Sequence, residues 1–207
     1  MNFEIEINNC NVVNKSKILL ENISFKYKKG DFYLVTGLNG SGKSEFVQAL
    51  ASRYEIKNQC FGEEESFYAN KFQNSTNLVS LEEAAKLIEE ERNRDESEYM
   101  DKEDSGRTAR QYICEVLGGS SKKNAPLPEI AFSLEKMEEV QLCGIEKILD
   151  RGLRYLSTGE IRRTLLCRAL LSSSDLLIVS NPFAGLDVKS RKIFMNLFNK
   201  ISLTRNL

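Results

Sequence analysis

The period of hydrophobic positions changes along this chain, and each change marks a predicted element. Phe3-Glu-Ile-Glu-Ile7 alternates with period two, and Leu19 to Phe25 predicts a second strand, with Lys28-Lys-Gly-Asp31 as the turn that follows. Asp31-Phe-Tyr-Leu-Val-Thr36 is a short apolar, aromatic and β-branched run, which predicts a buried strand. The apolar spacing of Glu45 to Ala51 is helical, and Asn77 to Leu81 reads as another strand. Leu81 to Arg92 predicts an amphipathic helix carrying i,i+4 opposite charges, on which Glu89 to Glu91 reads as a solvated face. A polar stretch runs from Asn93 to Gly106. It precedes a helix near Thr108 to Leu117, a loop from Gly118 to Pro128 and a further helix from Leu134 to Leu142. From Leu156 onward helix and strand alternate again: an amphipathic helix after Ser157, an apolar strand at Asp175 to Ser180, and a helix at Lys189 to Ile201.

This order predicts an α/β fold with a mainly parallel sheet, an antiparallel N-terminal β region and a helical insert. The expected core is residues 1–81 with 156–207, interrupted by a helical insert subdomain at 82–155.

Residues 37–44 read Gly37-Leu38-Asn39-Gly40-Ser41-Gly42-Lys43-Ser44, a complete G-x-x-x-x-G-K-[ST] phosphate loop between a predicted strand and a predicted helix. Glycines let backbone N–H groups approach phosphate oxygens, and the following helix presents the positive end of its dipole. Lys43 is expected to reach the β- and γ-phosphates, and Ser44 to ligate Mg²⁺. A match by chance in a chain of this composition is roughly a one-in-a-hundred event, so the expected ligands are a nucleoside phosphate and Mg²⁺.

Composition narrows the chemistry. With 207 residues, 41% of them hydrophobic, the chain can bury a full core. Its net charge of −1, from 29 basic and 30 acidic residues, provides no attraction for nucleic acid or an anionic membrane. No apolar run approaches the roughly 18 residues of a membrane span, and Met1-Asn-Phe-Glu-Ile-Glu6 lacks the pattern of a signal peptide. Cys10, Cys60, Cys114, Cys143 and Cys167 are scattered and never in C-x-x-C spacing, as expected of small buried hydrophobes in a cytoplasmic protein. There is no histidine, which excludes a histidine base, metal ligand or proton shuttle.

Tyr155-Leu-Ser-Thr-Gly-Glu-Ile-Arg-Arg163 reads physically as a helix start, with Ser157 or Thr158 as cap and Glu160 in the first turn. The strand Asp175 to Ser180 then leads into Asn181-Pro-Phe-Ala-Gly-Leu-Asp187. Phosphate loop, helical insert, Leu-Ser-x-Gly-Glu and an apolar strand ending in x-Pro-x-x-Gly-Leu-Asp, in this order, resemble the ATP-binding cassette (ABC) family. In this resemblance Leu156, Ser157, Thr158, Gly159 and Glu160 match the family's signature motif, and Asp187 its D-loop. Glu103 to Arg110, Lys147 to Glu160 and Thr164 to Cys167 are similar, more narrowly, to the N-terminal cassette of the tandem ModF-like proteins of molybdate-transport and photorepair loci.

The resemblance implies two cassettes closing head-to-tail, with each ATP between the phosphate loop of one and the signature of the other. It therefore implies a second cassette as partner: another copy, a different chain, or the missing second half of a tandem protein. Neither a membrane span nor nucleic acid is expected. The C-terminal end of the cassette is expected to be missing, since the chain stops at Leu207.

Where the family ends its apolar strand in Asp-Glu, for the metal and the attacking water, this chain has Ser180 and Asn181. No intact catalytic residue is then expected, because an amide cannot accept a proton. Glu83, or alternatively Gln73, takes the place of the family's Q-loop glutamine, and Glu83 is a candidate second metal ligand beside Ser44. Three readings follow: a cassette that binds ATP and contributes its signature to a partner, with impaired hydrolysis of its own; a slow Mg-dependent ATPase energising transport; or an interaction module without nucleotide.

Overall fold

The computed structural model describes residues 3–58, 65–93, 106–120, 126–172, 174–184 and 186–201, with the backbone alone considered at Leu81 and Ser190. The chain has an α/β fold with antiparallel and parallel sheets. It divides into two units: residues 1–78, 174–180 and 200–207 form one, and 79–173 with 181–199 form the other.

The first unit is organised around a long strand, β1 (Ile5–Asn14), paired antiparallel with β2 (Lys17–Tyr27). The other edge of β1 is shared end to end. β4 (Phe67–Asn70) pairs with Ile5 to Asn8, and β3 (Glu55–Asn58) pairs with Cys10 to Val13. The changeover falls at Asn9, whose φ is 49°, beside the register shift between Ile7 and Cys10. A bulge that bends β1 there lets one strand serve two short partners.

Ile5, Ile7, Cys10, Tyr27, Leu50, Phe72 and Leu176 form the core of this unit. Helix α1 (Lys43–Leu50) docks on it through Leu50 and through Phe46, whose ring meets that of Phe25 edge-on at 5.2 Å. β5 (Thr76–Val79) and β6 (Leu176–Val179) pair as a separate two-stranded sheet. The apolar run at 175–180 thus forms its expected strand, with Leu176 and Leu177 buried.

The expected strand at Asp31 to Thr36 does not form: this segment joins no ladder, and Phe32, Leu34 and Val35 are exposed. It is held instead by Tyr33, whose ring packs at 5.3 Å from Phe25 and 5.5 Å from Tyr27 on β2. Apolar and β-branched composition shows that a segment suits a pleated, covered surface, not which strand will pair with it.

The second unit is helical: α2 (Leu81–Asn93), α3 (Ala109–Cys114), α4 (Glu138–Cys143), α5 (Thr158–Leu171) and α6 (Val188–Ile201), with short 3₁₀ turns between them. α5 is its centre, with Ile161, Thr164, Leu165, Leu166, Cys167, Ala169 and Leu170 buried. Thr108 caps α3 in a reciprocal box with Gln111.

Glu91 is not on a solvated face. It is 1% exposed and accepts from the Arg107 N–H at 3.0 Å and from its Nε at 2.6 Å. Arg107 also reaches Glu115 at 2.5 Å, and Glu115 binds Arg168 at 2.6 Å. Burial disfavours the Arg107 charge, but hydrogen bonding and attraction to Glu91 and Glu115 prevail and raise its pKa. Glu89 and Glu90 are exposed as the pattern predicts; Glu91 departs from it because its partner lies 16 residues downstream, beyond any local pattern.

Candidate nucleotide site

The phosphate loop lies in the first unit, exposed from Gly37 to Ser41, and runs directly into α1. Gly40 and Gly42 have φ of 80° and 84°, the left-handed region where only glycine is at ease. Gly42 is also pressed by β2: a Cβ there would lie 2.2 Å from Leu20 Cδ2, so any side chain must displace it. At Gly37 a Cβ would meet Ser41 Oγ at 2.8 Å. The glycines thus form a cradle that side chains would fill.

Lys43 folds back over this cradle. Its Nζ donates to Gly37 O at 2.9 Å, to Leu38 O at 2.6 Å and to Ser41 Oγ at 3.4 Å. The ammonium already lies across the loop, with carbonyl oxygens as its partners. Asn39 is at the loop's turn, and Ser44 is exposed in the first turn of α1.

The strand end is less suited to a cation. Ser180 is half-buried after β6, and Asn181 is exposed at φ 49°. Asparagine is among the few non-glycine residues that tolerate this conformation, which gives Asn181 a local reason to be there. Among the described residues no three of His, Cys, Asp and Glu gather as a metal cluster. Ser44 and Ser180 each carry a neutral hydroxyl, a weak ligand for a cation that prefers carboxylates. Glu83 is half-buried in the first turn of α2, where its N–H donates to Ser80 Oγ at 3.1 Å. Gln73 is exposed, and its carbonyl accepts from Ser52 Oγ at 3.0 Å.

The signature-like residues lie in the second unit at the start of α5. Ser157, not Thr158, is the cap: its hydroxyl accepts from the Glu160 N–H at 3.3 Å, and the Glu160 carboxylate accepts from the Ser157 N–H at 2.8 Å. Arg151 adds an ion pair to Glu160 at 3.1 Å. Burial opposes ionisation of Glu160, but the Ser157 bonds and the attraction of Arg151 and Arg163 outweigh it and lower its pKa. Its share in holding the helix start is therefore complete above the ordinary value of 4.5 and is lost as pH falls through the lowered folded value.

Leu156 is buried and anchors the turn, while Ser157 and Thr158 are exposed. Ser157 to Glu160, Arg163, Leu186, Asp187, Ile193 and Phe194 line one cleft of about 300 Å³. Asp187 therefore joins the signature residues, as its place in the sequence suggests; Gly185 beside it lies outside the described residues. Ile193 and Phe194 of α6 and the ion-pair partner Arg151 are site residues without a motif of their own. The i,i+3 capping pattern was the signal for a helix start, but none pointed to its arginine.

The sequence model of the ABC transporter family matches residues 20–184. The ABC transporter ATP-binding protein ModF of Escherichia coli K12 is 39% identical over 165 residues, covering 79% of this chain and 29% of that protein. This chain thus corresponds to less than a third of the ModF length. The zinc import ATP-binding protein ZnuC of Ehrlichia canis is 27% identical over 98% of this chain and 70% of its own length. Among solved structures, the ADP conformation of MJ1267, an ATP-binding cassette of an ABC transporter, superposes with a TM-score of 0.66 at 17% identity, over 100% of this chain and 79% of that one. No helix among the described residues is long and apolar enough to cross a membrane.

Proposed function

The chain belongs to the ABC transporter family, and from that premise we propose that it binds ATP on residues 37–44 and lends its signature to a partner cassette, while hydrolysing poorly itself. The observation that carries this reading is the contrast between its halves. The phosphate loop keeps its left-handed glycines and a lysine laid across them, while the strand β6 ends in a hydroxyl and an amide, Ser180 and Asn181.

Bound ATP would supply the phosphoanhydride. Lys43 would exchange its carbonyl partners for β- and γ-phosphate oxygens, with the N–H groups at the start of α1 turned to the same charge. Ser44 would hold Mg²⁺ with Ser180 as a weak second ligand, so most of the cation's coordination would come from phosphate and water. Neither Ser180 nor Asn181 can take a proton from an attacking water at neutral pH. On α5, the Ser157 hydroxyl and the first-turn N–H groups of Thr158 and Gly159 would face the γ-phosphate held by the partner. Residues 82–155 serve as the helical insert, and the family places such cassettes at the cytoplasmic face.

Calorimetry tests the phosphate loop. Micromolar ATP binding that Lys43→Ala abolishes, and that changes little when Mg²⁺ is withdrawn, is the expected result; absence of binding at millimolar ATP overturns the reading. The signature is tested separately, with the chain assembled on a partner cassette. Ser157→Ala is expected to leave ATP binding by this chain intact and to lower assembly turnover at least tenfold, about 1.4 kcal/mol of lost transition-state contact. An unchanged turnover rules out the contribution in trans.

A further inference from the structure

Glu160 is held by two donors at once, one on each carboxylate oxygen. Its Oε2 accepts from the Ser157 N–H at 2.8 Å, and its Oε1 accepts from Arg151 Nη1 at 3.1 Å. An amide at this position could close the same cap, but it offers one oxygen where the carboxylate uses two. The acid therefore ties residue 151 to the start of α5 as well as capping the helix. The backbone delivers Arg151 to that place. Its carbonyl accepts from the Ala109 N–H at 3.1 Å, Gly152 forms an antiparallel bridge with Thr108, and the Leu153 N–H donates to Arg107 O at 2.9 Å. One 3₁₀ turn, Leu153–Tyr155, then leads to Leu156, and both leucines are buried. The strap before Ser157 is thus fastened to the head of α3, and the half-exposed Arg151 side chain closes it onto Glu160, nine residues on.

Arg163, the other cation acting on Glu160, is engaged at the end of α4, where its Nη1 donates to Cys143 O at 3.4 Å and to Gly144 O at 2.9 Å. Ser157 Oγ enters the cap as an acceptor, from the Glu160 N–H at 3.3 Å, so its single proton remains to donate. A carboxylate released from Arg151 would have an oxygen to fill, with the Ser157 hydroxyl inside the same helical turn to fill it.

We propose that Arg151 is a positioning residue for the signature serine: by occupying Glu160 Oε1 it keeps the cap closed and leaves the Ser157 hydroxyl proton for a phosphate. For that phosphate the inference rests on the proposed function, whereas the hold on the cap is a property of this chain alone.

Two measurements test it. In the free full-length chain, Arg151→Ala is expected to speed amide hydrogen exchange at Ser157 about two- to fivefold, the worth of a partly exposed ion pair, and Arg151→Lys to restore most of the protection. Glu160→Gln breaks the same ion pair from its other side and should loosen the Ser157 amide to a similar degree, so the result does not hang on one variant folding. With the chain assembled on a partner cassette and supplied with ATP, Arg151→Ala is expected to lower turnover about two- to fivefold, and Arg151→Lys to recover most of it. In the Glu160→Gln background the same Arg151→Ala change should cost less than about twofold, because the oxygen it served is gone. An unchanged exchange rate at Ser157, or an equal loss of turnover in both backgrounds, overturns the proposal. If Ser157→Ala leaves turnover intact while Arg151→Ala still loosens the Ser157 amide, the contribution in trans fails and the hold on the cap stands.

Discussion

Glu91→Ala is expected to remove about 3–5 kcal/mol of stability, because it leaves the Arg107 guanidinium buried without the more deeply buried of its two close carboxylate partners. Arg107 is 5% exposed, and Glu91 engages both its backbone N–H and its Nε. Glu115 cannot make good the loss, since it is already shared between Arg107 and Arg168. One guanidinium nitrogen, Nη2, has no hydrogen bond even with Glu91 present, leaving only a 3.9 Å ion pair to the half-exposed Glu90. Urea denaturation measures the loss directly; in a thermal melt it corresponds to roughly 10 °C for a protein of this size. The double variant Glu91→Leu/Arg107→Met is expected to lose much less, because replacing a buried pair by apolar side chains removes its desolvation along with its attraction. A loss below about 1 kcal/mol for Glu91→Ala would show that water reaches Arg107, and that the network behaves as a surface pair does.

Phosphate release at this chain's own loop is expected to be roughly 10²–10⁴-fold slower than in the variant Ser180→Asp/Asn181→Glu, the usual range for a missing general base. The comparison is made under single turnover with bound ATP, so that affinity does not enter, and with the same partner cassette for both chains. Lys43→Ala in the restored background is the control and should return the rate to background. The gain has a structural cost. Residue 181 sits at φ 49°, where glutamate is less at ease than asparagine, so the restored chain should be about 1 kcal/mol less stable. Equal release by the two chains would mean that another group on this chain supplies the base, and Glu83 would be the first to test.

Legibility in the sequence followed the distance between cooperating residues. The phosphate loop is a contiguous octapeptide whose glycines answer to local φ values and close approach, so its place at the head of α1 could be read directly. Ser157 and Glu160 are three residues apart, within the reach of one helical turn, so the helix start there was legible, although the pattern left the cap open between Ser157 and Thr158. The Arg107 to Glu91 pair and the Arg163 grip on Cys143 span 16 and 20 residues. Neither leaves a trace in periodicity, because hydrophobic patterns report which face is covered, not what covers it. Asp31 to Thr36 shows the opposite failure. Its composition is that of a buried strand, yet only Tyr33 finds a neighbour, and the remaining apolar side chains stay in solvent.

The cap on α5 also sets how a charged ligand would be received. A phosphate approaching Gly159 meets the positive end of the helix dipole, but within the same turn it meets the ionised carboxylate of Glu160, itself paired with Arg151. A helix end is worth only about half an elementary charge, and this one is already answered by a full negative charge a few ångströms away. Long-range steering toward this face is therefore largely cancelled. Selection there falls to short-range donors that act only on contact, and the rate of encounter should respond weakly to ionic strength, because few uncompensated charges remain to be screened.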